Sequence, residues 1–231
     1  MKRLGIVGGL GPESTVDYYR SIIEVYRERN PDGSYPTILI NSIDLTRMIA
    51  FVEAREWTRL AIRLAEEVRR LARAGADIAL ISANTPHIVF DEVRRKSHLP
   101  LISIVEVTAV AAKERGLARL GLFGTRFTVE AGFYQSVFAA AGMAVVAPEA
   151  DEVEEIHEKY MGELVKGVFL PETRERLLAI ARRMKQREKI DGLILGGTEL
   201  PLILKDPEID GIPVLDTTRI HVEAAVSAIL A

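Results

Sequence analysis

Cysteine is absent from all 231 residues. This excludes a disulfide framework, a zinc ribbon, an iron–sulfur cluster and any nucleophilic or proton-carrying thiol. Side-chain amides are scarce: asparagine stands only at 30, 41 and 84 and glutamine at 135 and 186, amid many Arg and Glu, a bias seen in thermophile proteins. There is no excess of positive charge. The 30 Lys plus Arg are interspersed with 33 Asp plus Glu for a formal charge of −3, so sequence-independent binding of nucleic acid lacks its electrostatic driving force. No apolar run approaches the roughly 20 residues of a membrane span. The opening Met1-Lys2-Arg3 reaches Gly8-Gly9 before an apolar stretch of signal-peptide length accumulates, so the expected setting is cytoplasmic, with no membrane partner. The length suits one large domain or two small lobes with a core that needs no staples.

What the chain does contain is an alternation of short apolar runs with longer segments of helical period, the pattern of an α/β protein built on parallel sheets. The expected strands are Leu4 to Gly8, Thr37 to Asn41, Asp77 to Ser82, Leu101 to Ile104, Leu120 to Gly124, Ala144 to Ala147, Gly192 to Gly196 and Val214 to Asp216. Most are continuously apolar, as strands covered on both faces should be. Trp57, Leu60, Ala61, Leu64, Val68 and Leu71 form the buried stripe of a covering helix, with Arg63/Glu67 and Glu66/Arg70 as exposed i,i+4 pairs. Pro171-Glu172-Thr173 opens another helix through about Gln186. The acidic run Asp151, Glu152, Glu154, Glu155, Glu158 reads as a solvated helix start rather than a metal site.

The second half of the chain repeats the first. Gly5-Ile6-Val7-Gly8 matches Gly121-Leu122-Phe123-Gly124, Tyr18 to Ile22 matches Phe133 to Val137, Asp77 to Asn84 matches Asp191 to Thr198, and Leu99-Pro100-Leu101 matches Ile212-Pro213-Val214. The order is kept and the spacing drifts by only a few residues, which argues for a duplicated unit of about four strands. We expect two similar lobes with pseudo-twofold symmetry, each a parallel sheet flanked by helices. Residues 1–106 plus 208–231 would form the first and 107–207 the second, with the last strand returning to the first lobe.

In parallel sheets ligands lie beyond the carboxyl ends of strands. Four segments occupy such places. Gly8-Gly9-Leu10-Gly11-Pro12-Glu13-Ser14 is a glycine-rich turn into a helix. It superficially suggests a dinucleotide fingerprint, but Pro12 follows Gly11 directly, Ser14 holds the third glycine position, and Asp44 lies well past the second strand, so the signal is weak. Ser82-Ala83-Asn84-Thr85-Pro86-His87 and its repeat mate Gly196-Gly197-Thr198-Glu199-Leu200 follow strands and precede helices. Their amide, hydroxyls and first-turn N–H groups suit a carboxylate or phosphate, although Asn and Thr also simply cap helices. Thr125 to Thr128 follow the strand that repeats the first. His87 is a candidate general base or a structural histidine. Glu199 is the better placed acid/base candidate, though a helix N-terminus would lower its pKa. Lys166 by itself reads as a surface lysine.

These motifs together resemble the aspartate/glutamate racemase superfamily over essentially the whole chain: Gly5-Ile6-Val7-Gly8-Gly9-Leu10-Gly11-Pro12, Ala83-Asn84-Thr85-Pro86-His87, Gly196-Gly197-Thr198-Glu199 and Ile212-Pro213-Val214-Leu215-Asp216. The resemblance implies two α/β lobes around a cleft, no cofactor and no metal, a homodimer, and interconversion of the enantiomers of an acidic amino acid. It implies substrate-binding roles for Asn84, Thr85, Thr125, Thr128 and Thr198, a cationic contact from Lys166, Leu10 in the opening loop, and Arg47 as the polar residue after the second strand.

One departure is fundamental. In the family two cysteines exchange the α-proton from opposite faces, one as thiolate and one as thiol. Here the matching positions are Ala83 and Gly197, and neither side chain transfers a proton. We read a natural cysteine-less branch, and three functions follow. An isomerase or lyase would use other proton carriers, with Glu199, His87 and Ser82 as candidates. A catalytically silent protein would still bind a dicarboxylate or amino acid. A nucleotide-binding enzyme would use the glycine-rich turn.

Overall fold

The computed structural model describes residues 1–231, which divide into two compact units, Met1–Ile104 with Thr218–Ala231, and Val105–Thr217. The first contains β1 (Leu4–Gly8), α1 (Pro12–Arg29), β2 (Ile38–Ser42), α2 (Leu45–Glu53), α3 (Trp57–Arg73), β3 (Ile78–Ile81), a 3-10 turn (Thr85–Val89), α4 (Phe90–Lys96) and β4 (Leu101–Ile102). The chain then runs through α5 (Ile104–Glu114), β5 (Arg119–Phe123), α6 (Arg126–Glu130), α7 (Phe133–Ala140), β6 (Ala144–Val146), α8 (Ala150–Gly162) and a 3-10 turn (Leu164–Lys166). It closes with α9 (Pro171–Glu188), β7 (Gly192–Leu195), α10 (Leu200–Ile203), β8 (Glu208–Ile209), β9 (Ile212–Asp216) and α11 (Thr217–Leu230).

The two sheets have corresponding strand orders, β2-β1-β3-β4 and β6-β5-β7-β9-β8, and every pairing is parallel except β8 with β9. The repeat seen in the sequence is thus a repeat of sheet topology. Its central strands β1, β3 and β7 are buried along their whole length, because helices cover both faces of a parallel sheet. Edge strand β2 is not.

The C-terminal boundary differs from expectation. Residues 208–231 do not all return to the first unit: β9 pairs in parallel with β7, Leu193 opposite Val214 and Leu195 opposite Asp216. Ile209, Ile212 and Val214 join a core with Phe123, Leu177, Leu193 and Leu195. The duplication itself explains this, since β9 takes beside β7 the place that β4 takes beside β3. What does return is α11. Its Val222, Ala225, Val226 and Ile229 pack with Leu4, Ile6, Tyr18, Ile22 and Leu80, and Lys2 N–H donates to Ile229 O at 3.2 Å. The strand expected over Leu101 to Ile104 is also shorter, because α5 begins at Ile104.

Two acidic residues expected on solvated faces are buried. Glu67 of α3 is fully covered and accepts from Arg63 at 2.6 Å, Arg70 at 2.8 Å and Asn41 Nδ2 at 2.7 Å. Arg70 therefore pairs with Glu67 rather than Glu66. Glu152 closes a capping box with Glu149 at the start of α8 and accepts from Arg183 at 2.7 Å and Arg187 at 2.8 Å on α9, which joins the two helices. Burial alone would raise the Glu152 pKa, but these donors hold it below the ordinary carboxylate range. The rest of the acidic run is a helix start, as its composition suggests.

Candidate functional site

The glycine-rich turn is a tight structural corner. Gly9 has φ +76°, and a Cβ there would lie 2.3 Å from Ile43 O, so only glycine fits. Its N–H donates to Thr15 Oγ1 at 2.8 Å, and that hydroxyl donates to Gly11 O at 3.2 Å. That N–H is thus spent inside the turn and is not offered to a phosphate. Leu10 is buried beside it. Asp44 caps α2 by accepting from Thr46 N–H at 2.9 Å, and Arg47, in the first turn of that helix, is exposed.

At the end of β3, Ser82 extends the strand: its N–H and its hydroxyl both donate to Val7 O, at 3.0 and 3.2 Å. Ala83 and Asn84 are buried and Thr85 is half-buried as the chain turns. His87 has both ring nitrogens committed. Ile104 N–H donates to Nε2 at 3.2 Å, so Nδ1 carries the proton and donates to Ala83 O at 2.9 Å. The ring stacks on Phe90, 4.6 Å between centroids. Burial, with the neighbouring His221, pushes its pKa down to about 3. His87 is therefore a neutral pin that fixes the turn at Ala83, and its engaged nitrogens leave it poorly suited to carry substrate protons.

Sequence reasoning passed over His221. It lies on α11, fully buried, donates from Nε2 to Ile102 O at 3.0 Å and accepts from the Tyr18 hydroxyl at 2.8 Å. Burial lowers its pKa to about 4. The repeat offered one trace of this pair, since Tyr18 lies in a segment with a repeat mate at Phe133 to Val137.

The second unit assembles its polar residues at the ends of β5 and β7. Thr125 caps α6, its Oγ1 accepting from Thr128 N–H at 3.3 Å, and the two hydroxyls are 3.1 Å apart. Both are buried. A Cβ on Gly124 would lie 2.9 Å from Gly196 O, so the two strand ends meet closely only because position 124 is glycine. Beyond β7, Thr198 and Glu199 are each 1% exposed, and Thr198 Oγ1 donates to Glu199 Oε2 at 3.1 Å. Lys166 ends a 3-10 turn and is exposed, and it shares no hydrogen bond or ion pair with these residues.

The residue that sequence reasoning missed here is Tyr160 on α8. Its hydroxyl donates to Glu199 Oε2. Its ring fills the space in front of Gly197: a Cβ there would lie 2.4 Å from Cε2 and 2.9 Å from Oη. Gly197 is not among the residues with positive φ, so the obstacle to a side chain at 197 is the tyrosine and not the backbone. Burial, and after it the Glu199 carboxylate, push the Tyr160 hydroxyl well above the ordinary phenol range. No local pattern marks Tyr160 as a partner of Glu199, because the contact joins separate elements.

No group of three or more acidic or histidine side chains is placed to hold a metal ion, and no helix is long and apolar enough to cross a membrane. A family model described as Asp/Glu/Hydantoin racemase matches residues 7–225. A broad specificity amino-acid racemase, RacX, from Bacillus subtilis (strain 168) is 22% identical over 99% of this chain and 98% of its own. Among solved structures, an aspartate racemase homologue from Pyrococcus horikoshii OT3 is 35% identical with a TM-score of 0.85 over the whole of both chains. The aspartate racemase of Picrophilus torridus, 24% identical, shares the fold with a TM-score of 0.78 over 99% of this chain and 94% of its own.

Proposed function

The chain belongs to the Asp/Glu/hydantoin racemase family, and from that premise we propose that it binds an acidic amino acid and acts at its α-carbon without thiols or an added cofactor. The observation that carries this reading is the composition of three strand-end segments. They keep Asn84 and Thr85 after β3, Thr125 and Thr128 after β5, and Thr198 after β7, while both thiol positions are lost to Ala83 and Gly197. In this reading the polar frame recognises carboxylates through charge-assisted hydrogen bonds, with Lys166 and Arg47 as the cations toward the side-chain carboxylate and Leu10 as an apolar wall. The expected homodimer and cytoplasmic setting, which the family resemblance implies, belong to the same reading.

Isothermal titration with L-aspartate, L-glutamate and citrate tests it. Binding with millimolar or better affinity is expected. Thr85→Val keeps the volume and removes the donor, which costs roughly 1 to 3 kcal/mol when a carboxylate oxygen loses its partner, or about tenfold in affinity. Heat from none of the three ligands would overturn the reading. Binding without any chemistry at the α-carbon would favour a silent carboxylate-binding protein.

A further inference from the structure

We propose that Tyr160 and Glu199 together stand in for the missing side chain at position 197 and carry the substrate proton at the end of β7. The inference rests on the reading above. Its geometry is independent of that reading: the Tyr160 hydroxyl lies 2.9 Å from where a Cβ at 197 would be, so the functional atom a residue there would present has a replacement from α8. That hydroxyl is bonded to the buried Glu199 carboxylate, and Thr198 Oγ1 donates to the same oxygen at 3.1 Å. A buried phenol takes some hydrogen-bond partner in any case, and here the partner is a carboxylate that can also accept its proton.

The step balances within the pair. The α C–H bond breaks, an O–H bond forms on the phenol oxygen, and the phenol's own proton passes to Glu199 Oε2. The electron pair of the C–H bond stays on the substrate as the enolate of its carboxylate, and Glu199 becomes neutral. Reprotonation reverses each move, and exchange of the pair's protons with water between the two steps introduces solvent hydrogen at the α-carbon. Because burial and the adjacent carboxylate hold the phenol protonated, it takes the α-proton only as it gives its own away.

Next to position 83 the candidate carriers are engaged. The Ser82 hydroxyl is committed to Val7 O and both His87 nitrogens are engaged. A carrier on one face alone removes and returns a proton on the same side. The chemistry assigned to this protein is therefore α-proton exchange of one enantiomer with retention of configuration.

The full-length protein is incubated separately with L- and D-aspartate in D2O. Loss of the α-proton is followed by NMR, enantiomer composition by chiral chromatography, and binding by calorimetry, with buffer as control. Exchange of one enantiomer without inversion is expected. Tyr160→Phe, which keeps the ring in place, and the isosteric Glu199→Gln should each lower the exchange rate at least about a hundredfold, the usual range for a general acid or base, while aspartate still binds. Circular dichroism establishes that each variant is folded, and either folded variant suffices. Exchange that survives both substitutions, racemisation of both enantiomers, or binding with no exchange in the unaltered protein would each overturn the assignment while leaving the binding site standing. Absence of binding would overturn the site itself, and this inference with it.

Discussion

At the residue scale the two buried histidines tie stability to pH. His87 and His221 keep folded pKa values of about 3 and about 4 against an ordinary 6.5. Above 6.5 both states leave them neutral and their contribution is fully present. As pH falls below 6.5 the unfolded chain takes up protons that the folded chain refuses, so stability drops until the folded values are reached. The limit is about 1.4 kcal/mol per pH unit for each histidine. Urea midpoints measured between pH 7 and pH 4.5 should fall with acidity, before most carboxylates titrate. His221→Gln retains an amide N–H toward Ile102 O but cannot titrate, so it should remove up to one histidine's share of that slope. An unchanged slope would show that His221 is not held neutral.

At the element scale α8 is the piece on which the second unit's site depends, since it carries Tyr160. Its position is set at its start by Glu152, which caps the helix and accepts from Arg183 and Arg187 of α9. Both arginines are partly exposed, so solvent screening reduces the pairs' worth. Glu152→Ala removes the reciprocal cap as well as the charged acceptor. A loss of about 2 kcal/mol is expected in urea denaturation, whereas Asp151→Ala, at an exposed neighbour, should lose much less. The short strand β8 and its antiparallel pairing with β9 extend the second sheet, and the first sheet has no counterpart to them.

At the scale of the whole molecule the two units differ in how the chain builds them. The second is one continuous stretch, Val105–Thr217, while the first needs the last fourteen residues, Thr218–Ala231, to be complete. Those residues supply Val222, Ala225, Val226 and Ile229 to the core of the first sheet, all fully buried. Ile229→Ala opens a cavity at the far end of the chain, and the usual cost of such a deletion is about 2 to 5 kcal/mol. Leu230→Ala next to it, at a side chain 39% exposed, should cost well under that. Equal effects from the two would mean that α11 does not complete the first core.

Much of the fold is legible in the one-dimensional pattern. An absent residue type is absent everywhere, so the lack of cysteine settles at once that no thiol carries a proton. Runs of buried residues mark strands and helices because local periodicity reflects which face is covered, and the internal repeat already implies two like sheets. The strand-end segments were legible for the same reason, since strand ends are set locally and ligands gather beyond them. Which elements meet is fixed only by folding. Backbone pairing with β7, not the order of strands along the chain, assigned β9 to the second sheet. Glu67 and Glu152 look like surface charges until the arginines and Asn41 that surround them are found. His87 resembles a general base until Ile104 N–H and Ala83 O are seen to occupy it. Tyr160 meets Gly197 and Glu199 across separate elements. Contacts between distant parts of a chain leave no local pattern, so the group that fills the missing side chain's place becomes visible only once the chain has folded.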